Sequence, residues 1–215
     1  MPQPHLHPTL SRSTELLTPP PLTWRDQLPT LVGERVTLRE LCADDARHLT
    51  PLLTAPEVAR FISAPPATVE QFGCFITWSH REREAGRYAG FAMVPHGSTM
   101  ATGLLQVRQL DPAFYSAEWG FALGTAWWGA GLFNESARLL LDFVFDTLGV
   151  HRLEARAAVP NARAHAAIAR LGAMREGVLR RSLVTGDGQQ LDQVLWSLLS
   201  DEWRARAERP ETRVH

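Results

Sequence analysis

The sequence predicts a domain of the α+β class. Three consecutive segments near the middle of the chain alternate apolar and polar residues with a period of two, and turn-rich pieces separate them. Helical periodicity precedes this run of strands and returns at Leu132, where apolar residues recur on one face. Helices and strands that occur in separate runs are typical of α+β domains.

The N-terminal residues predict an extension that precedes the ordered domain. Residues 1–29 hold seven of the 15 prolines, and such a stretch forms neither a regular helix nor a central strand. We place this extension at 1–30, the folded domain at 31–205 and a C-terminal tail at 206–215. Trp24 and Leu28 are the residues that could attach part of the extension to the domain.

The helices are predicted from their start and stop signals. Asp44 and Asp45 are N-cap candidates for a helix through Leu53, and Pro56 suits the first turn of a short second helix. The sequence from Thr68 to Gln71 forms a capping box that begins a third helix, which ends near residue 86. Later helices are expected over 132–148 and 161–171 and from residue 201 onward.

The strands are predicted from alternation and from the turns between them. The last two form a hairpin around Gly186-Asp187-Gly188. The predicted strands cover 36–41, 88–94, 102–110, 116–123, 152–159, 178–184 and 191–199.

Composition excludes several classes of function. The net charge of −1 argues against a nucleic-acid partner, and all 22 basic residues are arginine, which excludes a phosphate loop or Schiff base that needs lysine. The two cysteines form no disulfide framework, and the eight histidines show no zinc-ligand spacing, so no metal is expected. No apolar stretch approaches the length of a membrane span, and no signal core is visible, so a cytoplasmic location is expected.

The segment from Glu118 to Ser136 carries the strongest functional signal. It reads as a strand, a loop with Gly129 and Gly131, and the beginning of an amphipathic helix. Glycines let a backbone approach a ligand closely, and the unpaired N–H groups at a helix N-terminus bind phosphate. A pyrophosphate is therefore expected on the backbone of 129–133. A purely structural turn is the alternative. A dinucleotide fingerprint is disfavoured because Asn134 stands where its third glycine would be.

Together with this segment, a series of further motifs covers about residues 31–203. They are 31–39 with 44–46, 56–61, 117–121, Trp128-Gly-Ala-Gly-Leu132 with Glu135, 145–155, Asn161, 171–172, 176–180 and Asp192. In this order they resemble the Gcn5-related N-acetyltransferases (GNAT), in particular the ribosomal-protein N-acetyltransferase (RimJ/RimL-like) group. The resemblance implies the GNAT fold, a mixed and mostly antiparallel sheet of six to seven strands flanked by helices. It implies acetyl-coenzyme A (acetyl-CoA) as cosubstrate, a primary amine as acceptor, and a homodimer as an option.

The resemblance also implies roles for individual residues. The loop would bind the coenzyme pyrophosphate, the strand that ends at Leu123 would pair its backbone with the pantetheine arm, and Asn161 would face the coenzyme near its thiol. The expected coenzyme-binding residues are Phe121, Leu123, Trp128, Gly129, Ala130, Gly131, Leu132, Phe133 and Asn161.

Two departures from the family pattern bear on the site. Ala126 stands where an Arg or Gln precedes the loop in the broader superfamily, which weakens the phosphate hypothesis. Ala164 stands where a serine often follows the asparagine, which removes a candidate general acid.

The catalytic candidates are carboxylates on two strands. Glu118 is the first candidate for the base, acting through a water, and Asp192 is the second. Structural carboxylates or salt bridges are the alternatives for both. His165 could protonate the leaving thiolate, although a surface position is the more common role for a lone histidine on a helix. A backbone N–H near Leu123 is the expected oxyanion donor.

Three functions remain open at this point. The acceptor is the N-terminal α-amine of a protein, as the resemblance implies, or a small amine such as an aminoglycoside, polyamine or amino acid. A non-catalytic coenzyme A-binding domain is the third. The sequence does not fix the acceptor or the length of the acyl group.

Overall fold

A computed structural model describes residues 23–207. Their centre is one sheet with the strand order β1-β2-β3-β4-β5-β6-β8-β7. Every neighbouring pair is antiparallel except β5 and β6, which are parallel. The strands are β1 (Leu31–Val32), β2 (Val36–Glu40), β3 (Tyr88–Pro95), β4 (Gly103–Gln109), β5 (Ser116–Leu123), β6 (Arg152–Ala158), β7 (Met174–Val184) and β8 (Gln190–Leu199).

Six α-helices accompany the sheet in the described residues. They are α1 (Asp45–Leu53), α2 (Pro56–Ala59), α3 (Val69–Glu84), α4 (Leu132–Asp142), α5 (Ala162–Arg170) and α6 (Ser200–Ala207). Half of the predicted capping box is present: the Thr68 hydroxyl accepts a hydrogen bond from the Gln71 N–H at 3.2 Å, but the Gln71 side-chain oxygen accepts from the Ala67 N–H at 2.9 Å instead of the Thr68 N–H. Pro56 occupies the first turn of α2, as predicted. A π-helical segment, Phe143–Thr147, extends α4 toward β6.

The α+β class and the mixed, mostly antiparallel sheet are confirmed. The predicted count of six to seven strands is too low, because the sheet has eight. The additional strand is β1, whose two residues are too few to show alternation in the sequence. Strand β7 also begins at Met174 rather than at Val178, where the apolar pattern becomes visible.

Apolar clusters cover both faces of the sheet. On one face, α4 packs its buried leucines against Phe91, Leu105 and Leu153. On the other face, α1 and α3 pack against the opposite side of β3 and β4 through Leu49 and Phe72. Because packed helices cover both faces, the sheet is rigid around β5 and β6.

The predicted N-terminal extension lies largely outside the described residues. Within its described part, Leu28 is buried, and the ring of Trp24 packs edge-on against Phe114 with centroids 5.9 Å apart. Residues 208–215 of the predicted tail are also outside the described part. None of the helices between residues 23 and 207 combines the length and hydrophobicity that crossing a membrane requires.

Candidate active site

The parallel strands β5 and β6 pair over only half of their length. Residues 116–119 of β5 are in register with 152–155 of β6, from Ser116 opposite Arg152 to Trp119 opposite Ala155. Beyond this point residues 120–123 and 156–158 have no registered partner in each other's strand. The two strands therefore leave an opening in the middle of the sheet, which we call the gap.

Backbone groups of β5 face into the gap. Antiparallel pairing alternates, so every second residue of β5 bonds to β4 and the others point the opposite way. The Leu110 N–H donates to the Ser116 carbonyl at 2.8 Å, and the Gly124 N–H donates to the Thr102 carbonyl at 2.9 Å, which fixes the even-numbered residues as those bonded to β4. The N–H groups of Phe121 and Leu123 therefore point toward β6.

The loop after β5 has the backbone that the sequence predicts. A single 3-10 turn, Thr125–Trp127, leads to Gly129 and Gly131, both with φ of 79°, a conformation that glycine adopts without strain. Gly131 is the N-cap of α4 and has no side chain to cap the helix, so the first N–H groups of α4 are available to a ligand. The Trp128 indole N–H donates to the Leu123 carbonyl at 2.9 Å and holds the loop against the end of β5.

A cavity of about 590 Å³, here called the loop cavity, lies beside this loop. Its walls come from the end of β5, the loop, α2 and α5. Three arginines, Arg60, Arg163 and Arg170, line it together with a single carboxylate, Glu57. The surplus of positive charge and the available N–H groups of α4 suit an anionic ligand such as a pyrophosphate.

A second cavity of about 710 Å³, here called the sheet cavity, lies on the α1–α3 side of the gap. The two cavities meet at six residues that line both of them. These are Phe61, Ile62, Phe121, Ala122, Asn161 and Ala164. A ligand in one cavity can therefore reach a ligand in the other through the gap.

Asn161 caps α5 and also lines both cavities. Its side-chain oxygen accepts a hydrogen bond from the Ala164 N–H at 3.1 Å and so caps α5. It also lines both cavities at their junction. The helix cap fixes the position of the amide at the point where the two ligands would meet.

Glu118 lies on β5, on the same side of the strand as Gly120 and Ala122, which line the sheet cavity. Its Oε2 contacts Arg108 at 2.7 Å and Arg156 at 3.3 Å. Neither of these contacts uses Oε1, and the described residues provide no hydrogen-bond partner for it. Glu118 itself lines neither cavity, so it can reach an acceptor only through an intervening group such as a water.

Asp192 and His165 are both held by structural hydrogen bonds. The Asp192 carboxylate accepts from the Arg181 N–H at 2.7 Å and supports an irregular stretch of β7 in which Arg181 has a positive φ. The His165 Nδ1 accepts from the Trp196 indole N–H at 3.1 Å, so its Nε2 carries the proton and donates to the Ala158 carbonyl at 3.0 Å. Neither residue lines a cavity.

Most of the residues predicted to bind the coenzyme come together. Seven line the loop cavity, namely Phe121, Leu123, Trp128, Gly129, Gly131, Phe133 and Asn161. Ala130 does not line the loop cavity, and the side chain of Leu132 is buried in the core beneath α4, so only their backbone groups lie on the loop.

Part of the positive charge around the loop was not predicted from the sequence. Arg163 stacks on the Trp128 ring with its guanidinium carbon 3.5 Å from the ring centroid. Arg35, at the turn before β2, has its Nη1 3.1 Å from the point that a Cβ on Gly131 would occupy. The motif at 31–39 contains Arg35 but gives it no role at the loop, and no motif marks Arg163, because each arginine reaches the loop from a distant segment. Among residues 23–207, no group of three His, Cys, Asp or Glu side chains is arranged to hold a metal ion.

The chain matches a known protein family. The family described as "Acetyltransferase (GNAT) domain" matches residues 35–174. The match covers most of the chain, so the protein belongs to the GNAT acetyltransferase family and is an N-acetyltransferase by family.

Individual relatives agree with this assignment. The uncharacterized N-acetyltransferase p20 of Bacillus licheniformis is 28% identical over 177 residues, which span 82% of this chain and 99% of that protein. The [ribosomal protein uS5]-alanine N-acetyltransferase of Escherichia coli is 32% identical over 91 residues, 42% of this chain and 46% of the relative. These relatives are consistent with the RimJ/RimL-like group that the motifs indicate.

Solved structures confirm the fold. Mycobacterium smegmatis RimJ in complex with CoA-disulfide superposes with a TM-score of 0.71 at 23% identity, over 78% of this chain and 83% of that chain. A GCN5-related N-acetyltransferase from Brucella melitensis has a TM-score of 0.69 at 24% identity, over 82% and 81% of the two chains.

Proposed function

We propose that the protein transfers an acetyl group from acetyl-CoA to a primary amine, the N-terminal α-amine of a protein. The observation that carries this proposal is the gap between β5 and β6, which joins two cavities and ends at the uncapped N-terminus of α4. The GNAT family match supports the same chemistry.

The residues around the loop cavity fit a coenzyme A molecule. The N–H groups of 129–133 would bind the pyrophosphate, and the three arginines of the cavity would neutralise the phosphates. The exposed backbone edge of β5 at Phe121 and Leu123 would pair with the amides of the pantetheine arm as an added strand would. Arg35 supplies a positive charge near Gly131, which offsets the charge that Ala126 lacks.

The reaction needs no covalent enzyme intermediate. The amine nitrogen attacks the thioester carbonyl carbon, the new C–N bond replaces the C–S bond, and the coenzyme leaves as a thiolate. The Leu123 N–H, which points into the gap, would stabilise the negative charge that develops on the carbonyl oxygen. The thiolate takes a proton from water, since both ring nitrogens of His165 are engaged.

Glu118 is the base in this proposal. Its Oε1 would accept the amine proton through one water, while Arg108 and Arg156 hold Oε2 and fix the carboxylate in position. Asp192 is the weaker candidate because its carboxylate supports β7 and lines neither cavity.

The choice of a protein N-terminus as acceptor rests on relatives rather than on the site. One relative is named for acetylating the alanine of ribosomal protein uS5. Two experimental results would replace this choice: turnover of a small amine, or binding of the coenzyme without turnover. A homodimer is a further expectation, which light scattering would test.

The proposal is tested by two measurements on the full chain. Coenzyme A should raise the melting temperature in a concentration-dependent way, as any ligand that binds only the native state does. Acetyl-CoA with a panel of peptides should then release free thiol, and blocking the peptide α-amine should abolish the release. Binding without thiol release from any peptide or small amine would favour the non-catalytic alternative, and the absence of binding would reject the proposal altogether.

A further inference from the structure

The sheet cavity is where the acceptor must lie if the proposed function holds. It meets the loop cavity at the gap, where the two cavities share only the six residues at their junction. An amine that attacks at this junction would have the rest of its molecule in the sheet cavity. The walls of this cavity therefore select the acceptor.

Those walls are largely apolar and aromatic. Helices α1 and α3 and the segment between α2 and α3 supply Leu53, Phe72 and Phe75 with Phe61. Trp119 and Phe121 of β5 also border the cavity, but their rings pack against Phe133 of α4 on the other face of the sheet. The apolar surface of the Phe61, Phe72 and Phe75 rings favours a ligand that buries an apolar group against them. The volume of about 710 Å³ is large enough for a sizeable side chain and part of a peptide backbone.

The cavity offers no negative charge to a polycation. None of its lining residues, all within the described part of the chain, is Asp or Glu, and its one charged residue is Arg156. Glu118 and Glu154, the carboxylates that contact Arg156, lie outside the lining at 3.3 Å and 3.7 Å from its guanidinium. An acceptor with several ammonium groups would have to bury them beside an arginine without a counter-ion.

The polar groups of the cavity are suited to a peptide carbonyl. Three glutamines line it, and each amide oxygen already has a partner within the protein: the Ala67 N–H for Gln71, the Tyr88 hydroxyl for Gln106 and the Ser182 hydroxyl for Gln193. Their Nε2 groups remain as donors, and a carbonyl oxygen is a group that such donors bind.

We infer that the acceptor is a monoamine with a large apolar group next to the amine, namely a protein N-terminus whose first residue is Leu, Met or Phe. This inference rests on the proposed function and narrows it. The first side chain would lie among the rings of Phe61, Phe72 and Phe75, and the first peptide carbonyls would face the glutamines. Polyamines and aminoglycosides are disfavoured by the same walls.

Conjugates that join the two substrates test this inference without requiring turnover. Coenzyme A is linked through its sulfur and an acetyl bridge to the α-nitrogen of a Leu-initiated or a Ser-initiated tetrapeptide, or to spermidine. Isothermal titration compares each conjugate with coenzyme A alone. The Leu conjugate should bind about tenfold more tightly than the Ser conjugate, and the spermidine conjugate no more tightly than the Ser conjugate.

Two variants connect the preference to the cavity. Phe75→Ala should reduce the ratio of Leu to Ser affinity by about threefold or more and leave the affinity for coenzyme A unchanged. Trp78→Ala is the matched control, since Trp78 stacks on Phe75 with centroids 5.7 Å apart but is outside the lining. Gln193→Glu adds a carboxylate to the cavity and leaves the packing of the rings unchanged. It should increase the affinity for the spermidine conjugate relative to that for the Leu conjugate.

The possible results separate this inference from the function on which it rests. If coenzyme A itself does not bind, the proposed function fails. If coenzyme A binds but the Leu and Ser conjugates are equal, or the spermidine conjugate is the tightest, the apolar acceptor is wrong and acetyl transfer still stands. A preference for Leu that Phe75→Ala leaves intact would place the side chain outside the sheet cavity and overturn the inference.

Discussion

The loop cavity and the sheet cavity recognise their ligands in different ways. The loop cavity uses backbone N–H groups at the start of α4 and a surplus of arginine, a chemistry that requires only glycines and a helix N-terminus in one short segment. The sheet cavity uses residues from α1, α3, α5, five strands and the segment between α2 and α3. The comparison explains why the donor can be inferred from the sequence while the acceptor has to be inferred from the assembled cavity.

The largest expected effect concerns the proposed base, Glu118. Glu118→Gln should lower kcat about 100-fold and leave the affinity for coenzyme A unchanged, because the amide cannot accept the amine proton. Steady-state kinetics and titration of coenzyme A measure the two quantities separately.

Glu154→Gln is the control for that experiment. Glu154 lies opposite Glu118 in the register of β6 with β5, and it also contacts Arg156. Equal losses of kcat in the two variants would show that the ion-pair network matters rather than a base at Glu118.

A smaller effect is expected from the loop side. Gly129→Ala should weaken coenzyme A binding about tenfold, because the new methyl group stands on the backbone that would contact the pyrophosphate. Gly97→Ala is matched in geometry: Gly97 has φ of 80°, Gly129 has φ of 79°, and neither has a heavy atom within 4 Å of an added Cβ. The melting temperature should fall by a similar amount in both variants. A similar loss of coenzyme affinity in both would show that the loop does not bind the coenzyme.

Arg35 offers a finer test of how the loop is charged. Arg35→Ala should weaken coenzyme A binding about threefold to fivefold, with the difference shrinking at high salt because the contribution is electrostatic. Arg47→Ala, which removes an exposed arginine paired with Asp44, should leave binding unchanged. Titrations at low and high ionic strength measure both, and an effect that does not depend on salt would contradict the electrostatic role.

The smallest effect concerns an ion pair between strands β6 and β7 at the side of the sheet. Arg152 and the Ser197 hydroxyl hold the pKa of Glu176 down at about 2, from an ordinary value of 4.5. Because the folded-state pKa is the lower one, this stabilisation is complete above about pH 4.5 and is lost as the pH falls toward 2. The side chain of Glu176 is 38% exposed, so solvent screening limits the contribution to about 1 kcal/mol or less.

Denaturant unfolding of Glu176→Gln measures that contribution. The variant should be slightly less stable than the parent protein at pH 7, and the two should converge near pH 2. A difference that stays constant across this range would assign the effect to packing rather than to the ionised carboxylate.

The elements that the sequence predicts well are those defined by local patterns. The N-cap at Thr68, the strands β3, β4 and β5 and the amphipathic α4 each depend on neighbours within a few residues. Strand β1 was missed because two residues carry no period. The glycine loop was likewise predicted from a short segment, whereas the role of Asn161 was predicted only from the resemblance to the family.

The remaining features depend on contacts between distant segments. The gap exists because β5 and β6 stop pairing after Trp119, a property of the sheet that no stretch of sequence displays. The partners of Glu118 come from β6 and from Arg108, just before the end of β4, and Arg35 reaches Gly131 across about a hundred residues. Such features became visible only when the strands were placed side by side.

A crystal structure of the full chain with coenzyme A tests the central claim most directly. The account predicts that the pantetheine arm lies in the gap against Phe121 and Leu123, with the pyrophosphate on the N–H groups of 129–133. Coenzyme A bound elsewhere, with β5 and β6 still open and empty, would contradict it.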